Sequence, residues 1–404
     1  MLARATAVVA LAGALLTGAG PAHGTTTMPS LLAGTTLSGV IAKGGEPAAK
    51  AFGTWRGRLV QVVTDYLGSS TWASIGNAAW AGARWPSSSY HVVWSLPMLP
   101  SAEPGSLAQG AAGAYDATFR STAQGLVSSG QGSSTIRIGW ENTGDWFPWS
   151  GVKDPASYAA FYRRIVTVMR AVPGAHFTFD WNTSDQPVDP APLYPGDAYV
   201  DTVGTDLYDV SWAVSYAATD HAKVWSAMRS RPYGLDWLAS FAAAHHKRLS
   251  LAEWGLAYRC DGHGGGDDPV FVQGVHDWVA GHDVAFESYF DADDSSCQRF
   301  TLSRGNDFPT AAVRYRALFG PVTGGLAVVW QRSASPFVRV ARISYTGAAG
   351  QRVRSVAFTV GGRSVARVTA APYVASVLVR NGGGSAVRAL VTLTDGRSVI
   401  AENP

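Results

Sequence analysis

Residues 134–182 read STIRIGWENTGDWFPWSGVKDPASYAAFYRRIVTVMRAVPGAHFTFDWN. An apolar strand pattern over 134–141 gives way to a helical periodicity over 155–172, and a second strand pattern follows over 176–182. Asp154 is placed to cap the helix, its carboxylate accepting from the free first-turn amides, and Pro155 opens it at a position whose N–H has no helical partner. Strand, helix and strand in so short a span make a βαβ unit, which requires the two strands to lie parallel.

The same alternation extends both ways along the chain. Apolar, β-branched strand patterns recur at 37–44, 58–67, 90–99, 201–209, 249–255 and 284–291, with further helical patterns at 236–247 and 268–282. Eight strands separated by helices in about 290 residues predict a closed (β/α)8 TIM barrel, α/β in class. An open doubly wound sheet is the competing topology, but it lacks the Gly-rich phosphate loop after its first strand.

Beyond residue 320 the pattern changes to short alternating segments punctuated by Gly, Pro and Asp-Gly, which predicts a small all-β, immunoglobulin-like sandwich. Composition changes at the same place. Fourteen of the 15 tryptophans precede residue 321; residues 25–320 carry 21 basic against 27 acidic side chains, and residues 321–404 carry 10 against 2. Residues 1–24 combine Arg4, an Ala/Val/Leu run and small residues around Ala22 and Gly24, the order of features of a secretory signal; a permanent anchor helix is disfavoured by the short run. The expected organisation is therefore a signal peptide over 1–24, a barrel over 25–320 and an accessory sandwich over 321–404, in a secreted, extracellular protein with no membrane partner. Export permits disulfides, and Cys260 and Cys297 are the only cysteines, so a bridge between them is expected, two buried thiols being the alternative.

In such a barrel the C-terminal strand ends and the loops after them build the site. Those ends carry Asp65, then Trp140 and Glu141, then Trp181 and Asn182, then Asp206, Tyr208 and Asp209, then Glu253 and Trp254, then Glu287, Tyr289 and Asp291. Glu141 and Glu253 each follow an apolar strand, where an isolated carboxylate is costly unless paired or facing a cleft. They are 112 residues apart, the length of three βα units of about 37 residues, so strands four and seven present them from different sides. Glycoside cleavage needs two opposed carboxyl groups, one kept protonated to donate to the leaving oxygen and one ionised to attack the anomeric carbon. Sugars also offer apolar C–H faces to indoles and hydroxyl edges to Asp and Asn. The expected catalytic pair is therefore Glu141 and Glu253. The expected substrate-binding set is Asp65, Trp140, Trp146, Trp149, Trp181, Asn182, Asp206, Tyr208, Trp254 and Tyr289. Trp72, Trp80, Trp225, Trp237 and Trp278 read as helix packing.

The segment Arg137-Ile-Gly-Trp140-Glu141-Asn142-Thr143-Gly144-Asp145-Trp146-Phe147-Pro148-Trp149 resembles the acid/base segment of glycoside hydrolase family 26, the β-mannanase family of clan A, and Glu253-Trp254-Gly255 resembles its nucleophile segment. The resemblance spans residues of about 30 to 320. It implies a retaining mechanism with Glu141 as acid/base and Glu253 as nucleophile, Tyr208 hydrogen-bonded to that nucleophile, and Trp146 and Trp149 along the sugar cleft. The family usually has His before the acid/base Glu; here it is Trp140, whose indole cannot reproduce imidazole hydrogen bonding.

The histidines show no ligand spacing, so no metal site and no cofactor are expected. No GxSxG elbow points to a serine esterase. The glycine-rich run 262–268 reads as a loop over the cleft. Asn182-Thr183-Ser184 matches a glycosylation acceptor, though its strand-end position favours a cleft role. The expected partner is a polysaccharide or oligosaccharide substrate, with mannan, xylan, mixed-linkage glucan and microbial wall glycans all compatible. A non-catalytic carbohydrate-binding barrel is the competing reading. The basic module is either a contact for a glycan or cell wall or a solvated sheet face. Nucleic acid is not expected as a partner, and the chain is expected to be a monomer.

Overall fold

The computed structural model describes residues 36–86, 90–211, 220–320, 325–332, 338–346, 353–380, 386–393 and 398–402. The segment read as a signal, 1–24, lies outside them. Strands β1 (Leu37–Ile41), β2 (Val62–Tyr66), β3 (His91–Leu96), β4 (Thr135–Ile138), β5 (Thr178–Ser184), β6 (Thr202–Tyr208) and β7 (Arg248–Gly255) pair in chain order, all parallel. After the two-residue strand β8 (Tyr258–Arg259), β9 (Val284–Phe290) pairs with both β7 and β1 and closes the barrel. Closure excludes the open sheet.

Parallel strands wrapped by helices are covered on both faces, which is why each reads as a nearly continuous apolar run. Residues facing outwards, such as Val40, Val63, Trp94, Ile136 and Phe179, join the main core with the helices. The helix Pro155–Arg170 starts where its signals place it, with Asp154 accepting from the Ser157 amide, and it buries Tyr158, Phe161, Tyr162, Ile165 and Met169. Towards its N-terminal end the barrel interior is filled by Leu37, Val62, Val93, Ala252 and Phe286. Higher up it is polar, with Thr64 bonded to Ser288 at 3.1 Å and Asp180 accepting from Ser250 and Thr202.

Two backbone irregularities set the positions of acidic side chains at the C-terminal end of the barrel. The register of β6 on β7 slips between Gly204 and Asp206, which brings Asp206 opposite Glu253. β4 ends at Ile138, three residues before the expected limit at Glu141, because Gly139 (φ 51°) and Glu141 (φ 52°) both turn left-handed. A side chain at Gly139 would meet the Met98 sulfur at 2.4 Å.

The strand β10 (Gln298–Arg299) pairs antiparallel with β8. The remaining strands are β11 (Gly325–Arg332), β12 (Val338–Thr346), β13 (Val353–Val360), β14 (Arg363–Val368), β15 (Tyr373–Arg380), β16 (Val387–Leu393) and β17 (Ser398–Glu402). They form two antiparallel sheets, β11-β12-β15 and β14-β13-β16-β17. Leu326, Ala341, Ile343 and Tyr345 of one pack against Val356, Phe358, Ala389 and Val391 of the other. No helix among the described residues is long and apolar enough to cross a membrane.

Candidate active site

The C-terminal strand ends surround a cavity of about 980 Å³, at the upper end of the range for ligand sites. Its wall takes Lys43 from the β1 loop, Asp65 and Tyr66 from β2, Trp140, Glu141, Trp146 and Phe147 from the β4 loop, Asp206 and Tyr208 from β6, Glu253 from β7, and Phe290 and Phe300 from β9 and the loop after it.

Glu141 stands on the left-handed bend after β4. Its backbone amide donates to Asn182 Oδ1 at 3.0 Å, and Trp146 Nε1 donates to its Oε2 at 2.9 Å. A non-glycine residue in this conformation costs about 1–3 kcal/mol and persists only where its surroundings hold it. Here the Asn182 amide group is the clasp, since its Nδ2 donates in turn to Asp206 Oδ1 at 2.9 Å.

Across the cavity Glu253 accepts three hydrogen bonds. Tyr208 donates to Oε1 at 2.5 Å, while Tyr66 and Arg137 Nη2, the latter at 3.0 Å, donate to Oε2. Arg137 is fully buried inside the barrel. Its Nη1 lies 2.7 and 2.8 Å from the two Asp206 oxygens, and its Nε donates to Ser95 Oγ at 3.0 Å. One guanidinium therefore serves two carboxylates from adjacent strands.

Burial and neighbouring charges shift several groups of the site. Burial, and then the charge of Glu253, push the Glu141 carboxyl up to about 7; the Trp146 hydrogen bond and Arg137 oppose that rise. Burial disfavours the charge on Arg137, yet Asp206 and Glu253 outweigh it and hold the guanidinium more firmly protonated than usual. Burial and then the Glu253 charge raise both Tyr66 and Tyr208 well above the ordinary phenol range, so both stay donors. Glu253 itself faces one guanidinium and two phenols, all three donating to it.

Of the residues expected to bind substrate, Asp65, Trp140, Trp146, Asp206 and Tyr208 line the cavity. Asn182 lies beneath it, fully buried, and is inaccessible as a glycosylation acceptor. Trp149, Trp181, Trp254 and Tyr289 do not reach the wall. Trp149 stacks on Phe147 at 4.5 Å and donates to the Trp140 carbonyl. Trp181 packs between Tyr194 and Phe241, Trp254 donates to Glu287 among Tyr289, Tyr315 and Phe319, and Tyr289 donates to the Phe300 carbonyl. The reason is strand alternation: Trp181, Trp254 and Tyr289 neighbour the inward-facing Asn182, Glu253 and Ser288, so they point outwards to the helices.

The run 262–268 lies against the end of β6, where Gly264 bridges Val210, and does not cover the cavity. Cys260 and Cys297 are bonded, joining the loops after β7 and β9 beside the β8–β10 pair. Sequence reasoning missed Tyr66, Phe147 and the bridging role of Arg137. Two signals were available: an arginine in the middle of an apolar strand needs an internal counter-ion, and Tyr66 shares the inward parity of Thr64.

Residues 134–227 match the family described as Glycosyl hydrolase family 26. No protein of curated function matches the chain. Among solved structures, the YdhT protein from Bacillus subtilis is 16% identical, with 71% of this chain and 86% of that one covered and a TM-score of 0.49. The Bacillus subtilis mannanase man26 is 17% identical, with 69% and 85% covered and a TM-score of 0.47. The Bacteroides ovatus β-mannanase BoMan26A is 15% identical, with 71% and 87% covered and a TM-score of 0.47. The match over 134–227, less than half of the chain, carries β4, β5, β6 and Glu141 and makes that part of the barrel similar to glycoside hydrolase family 26.

Proposed function

We propose that the protein is a secreted, retaining glycosidase of β-mannan or a closely related polysaccharide, with Glu253 as nucleophile and Glu141 as acid/base. One observation carries this reading: two glutamates from the ends of β4 and β7 share one cavity, one pushed up to about 7 and the other held by a cation and two phenols. A Glu253 oxygen attacks the anomeric carbon as the bond to the leaving oxygen breaks, and the Glu141 proton passes to that oxygen. The covalent glycosyl ester is then cleaved by a water whose proton returns to Glu141, which restores both carboxyls. Tyr208, Tyr66 and Arg137 orient the nucleophile, and Trp140, Trp146 and Phe147 pack against the sugar.

Residues 1–24 direct export, the barrel occupies 25–320, and the basic module over 321–404 contacts a glycan or cell wall. The protein works as a monomer. The decisive experiment follows the anomeric configuration of the first product by proton NMR during hydrolysis of a mannan, glucomannan, xylan and mixed-linkage glucan panel. The β-anomer should appear first, and the α-anomer first would reject the double displacement. Glu141→Gln and Glu253→Gln should each lower kcat at least 10³-fold with the fold intact, and azide should restore turnover to Glu253→Ala.

A further inference from the structure

The catalytic cavity has a neighbour on its β1–β2 side. A recess of about 520 Å³ is lined by Gly44, Gly45, Trp80 and Ala83 together with Asp65, Tyr66 and Arg84, and the last three line the catalytic cavity as well. The two spaces therefore share a wall that includes Tyr66, whose hydroxyl touches Glu253.

Trp80, which its sequence context assigns to helix packing, forms one side of this recess. Its Nε1 donates to the Asn77 carbonyl at 2.9 Å, and its ring stands perpendicular to Trp94 at 5.5 Å, so the indole is fixed in orientation. It is nevertheless 36% exposed. A clamped, accessible indole is a surface on which an apolar ring face can stack at little entropic cost. In the same lining, Gly44 and Gly45 take φ of 124° and 67°, and a Cβ at Gly45 would lie 3.3 Å from the Arg84 carbonyl oxygen and 3.8 Å from its Nη1. Glycine there leaves the approach to Arg84 open. The Arg84 guanidinium uses Nε and Nη2 on Asp65, while Nη1 has no hydrogen bond among the described residues. An indole face beside a guanidinium N–H that has no partner among the described residues matches a neutral pyranose, which has an apolar face and a hydroxyl rim.

We propose that this recess is an additional sugar subsite, in which the glycan held at Glu141 and Glu253 continues past Arg84 and lays a more distant ring on Trp80. The inference rests on the reading of the barrel as a glycan-cleaving site. The shared wall argues for another unit of the same chain as occupant over an independent ligand.

The test compares the wild-type protein with Trp80→Ala and Ala83→Trp on β-1,4-linked manno-, cello- and xylo-oligosaccharides of two to six units. Ala83 is exposed and lines the recess, so a larger side chain there fills it while Trp80 is kept. On the series that the wild type cleaves, both variants should keep kcat/KM on the shortest cleaved member. On the five- and six-unit members they should lose about tenfold, carried by KM, and the preferred cleaved bond should move. An equal loss at every length would mark a structural role, and unchanged kinetics at every length would leave the recess empty of sugar; either overturns the subsite while leaving catalysis standing. A wild-type protein inactive on all three series would instead overturn the functional reading, and the subsite with it.

Discussion

At the scale of single residues, Glu141 concentrates three costs: a left-handed backbone, partial burial and a nearby negative charge. Each has a measurable consequence. The Trp146 hydrogen bond lowers the Glu141 pKa, so under the proposed acid/base role Trp146→Phe should move the alkaline limb of the kcat/KM profile to higher pH. A limb that stays in place or falls would show that the indole does not tune this carboxyl. The stability consequence has the opposite sign to that of an ordinary salt-bridged acid. A carboxyl raised in the folded state binds its proton more tightly than when unfolded, so its burial is tolerated below about 4.5 and destabilises progressively as pH rises to about 7. Glu141→Gln should therefore raise Tm at pH 8 and have little effect at pH 4, read by calorimetry at both values. The sequence made the pair itself visible, because carboxylates after apolar strands need a reason. The position of Glu141 off the strand was not visible, since Gly-Trp-Glu continues a strand pattern until the conformation of Gly139 is known. Trp181, Trp254 and Tyr289 were misplaced for another reason: aromatic character marks both a core and a cleft, and only parity against Asn182, Glu253 and Ser288 separates them.

Among the elements, the strands were legible because a parallel barrel strand is buried on both faces and cannot hide its composition. The short pairings between loops were not legible. β8 and β10 have two residues each and no periodicity, yet they set part of the cavity rim. Arg259 and Gln298 line the cavity from this pair, Arg299 lies 3.7 Å over the Tyr258 ring, and Lys43 from the β1 loop reaches the Asp293 carbonyl at 2.7 Å. The bond between Cys260 and Cys297 ties this rim across a separation of 37 residues, a loop whose closure is worth about 3–4 kcal/mol on chain entropy alone. Replacing both cysteines by serine should lower Tm and raise KM several-fold. Because the bridge does not touch Glu141 or Glu253, kcat should change by less than about twofold. A fall in kcat with KM unchanged would place the bridge in the chemistry itself and contradict a division of labour between the rim and the proposed catalytic pair.

For the whole molecule, the charge division seen in the sequence falls between the barrel and the two C-terminal sheets. The barrel segment is acidic and holds a cavity whose charged groups are largely paired with one another, as in Arg137–Asp206, Arg84–Asp65 and Lys43–Asp294. A neutral glycan suits that interior. The C-terminal segment carries 10 arginines against two acids, and Arg354 and Arg363 are exposed on the four-stranded sheet. Such an excess is a long-range attraction for polyanions that decays over a Debye length of about 8 Å at physiological salt. If the proposed wall contact operates through it, the full-length protein should be retained on immobilised polygalacturonate at low ionic strength and released as salt rises. The double variant Arg354→Glu/Arg363→Glu should elute at distinctly lower salt, while its kcat/KM on a soluble neutral oligosaccharide stays at the wild-type value. Elution of that variant at the wild-type salt concentration would assign these arginines to a solvated sheet face, the ordinary fate of charged residues on an exposed strand. Loss of turnover in the variant would instead show that module and barrel are coupled.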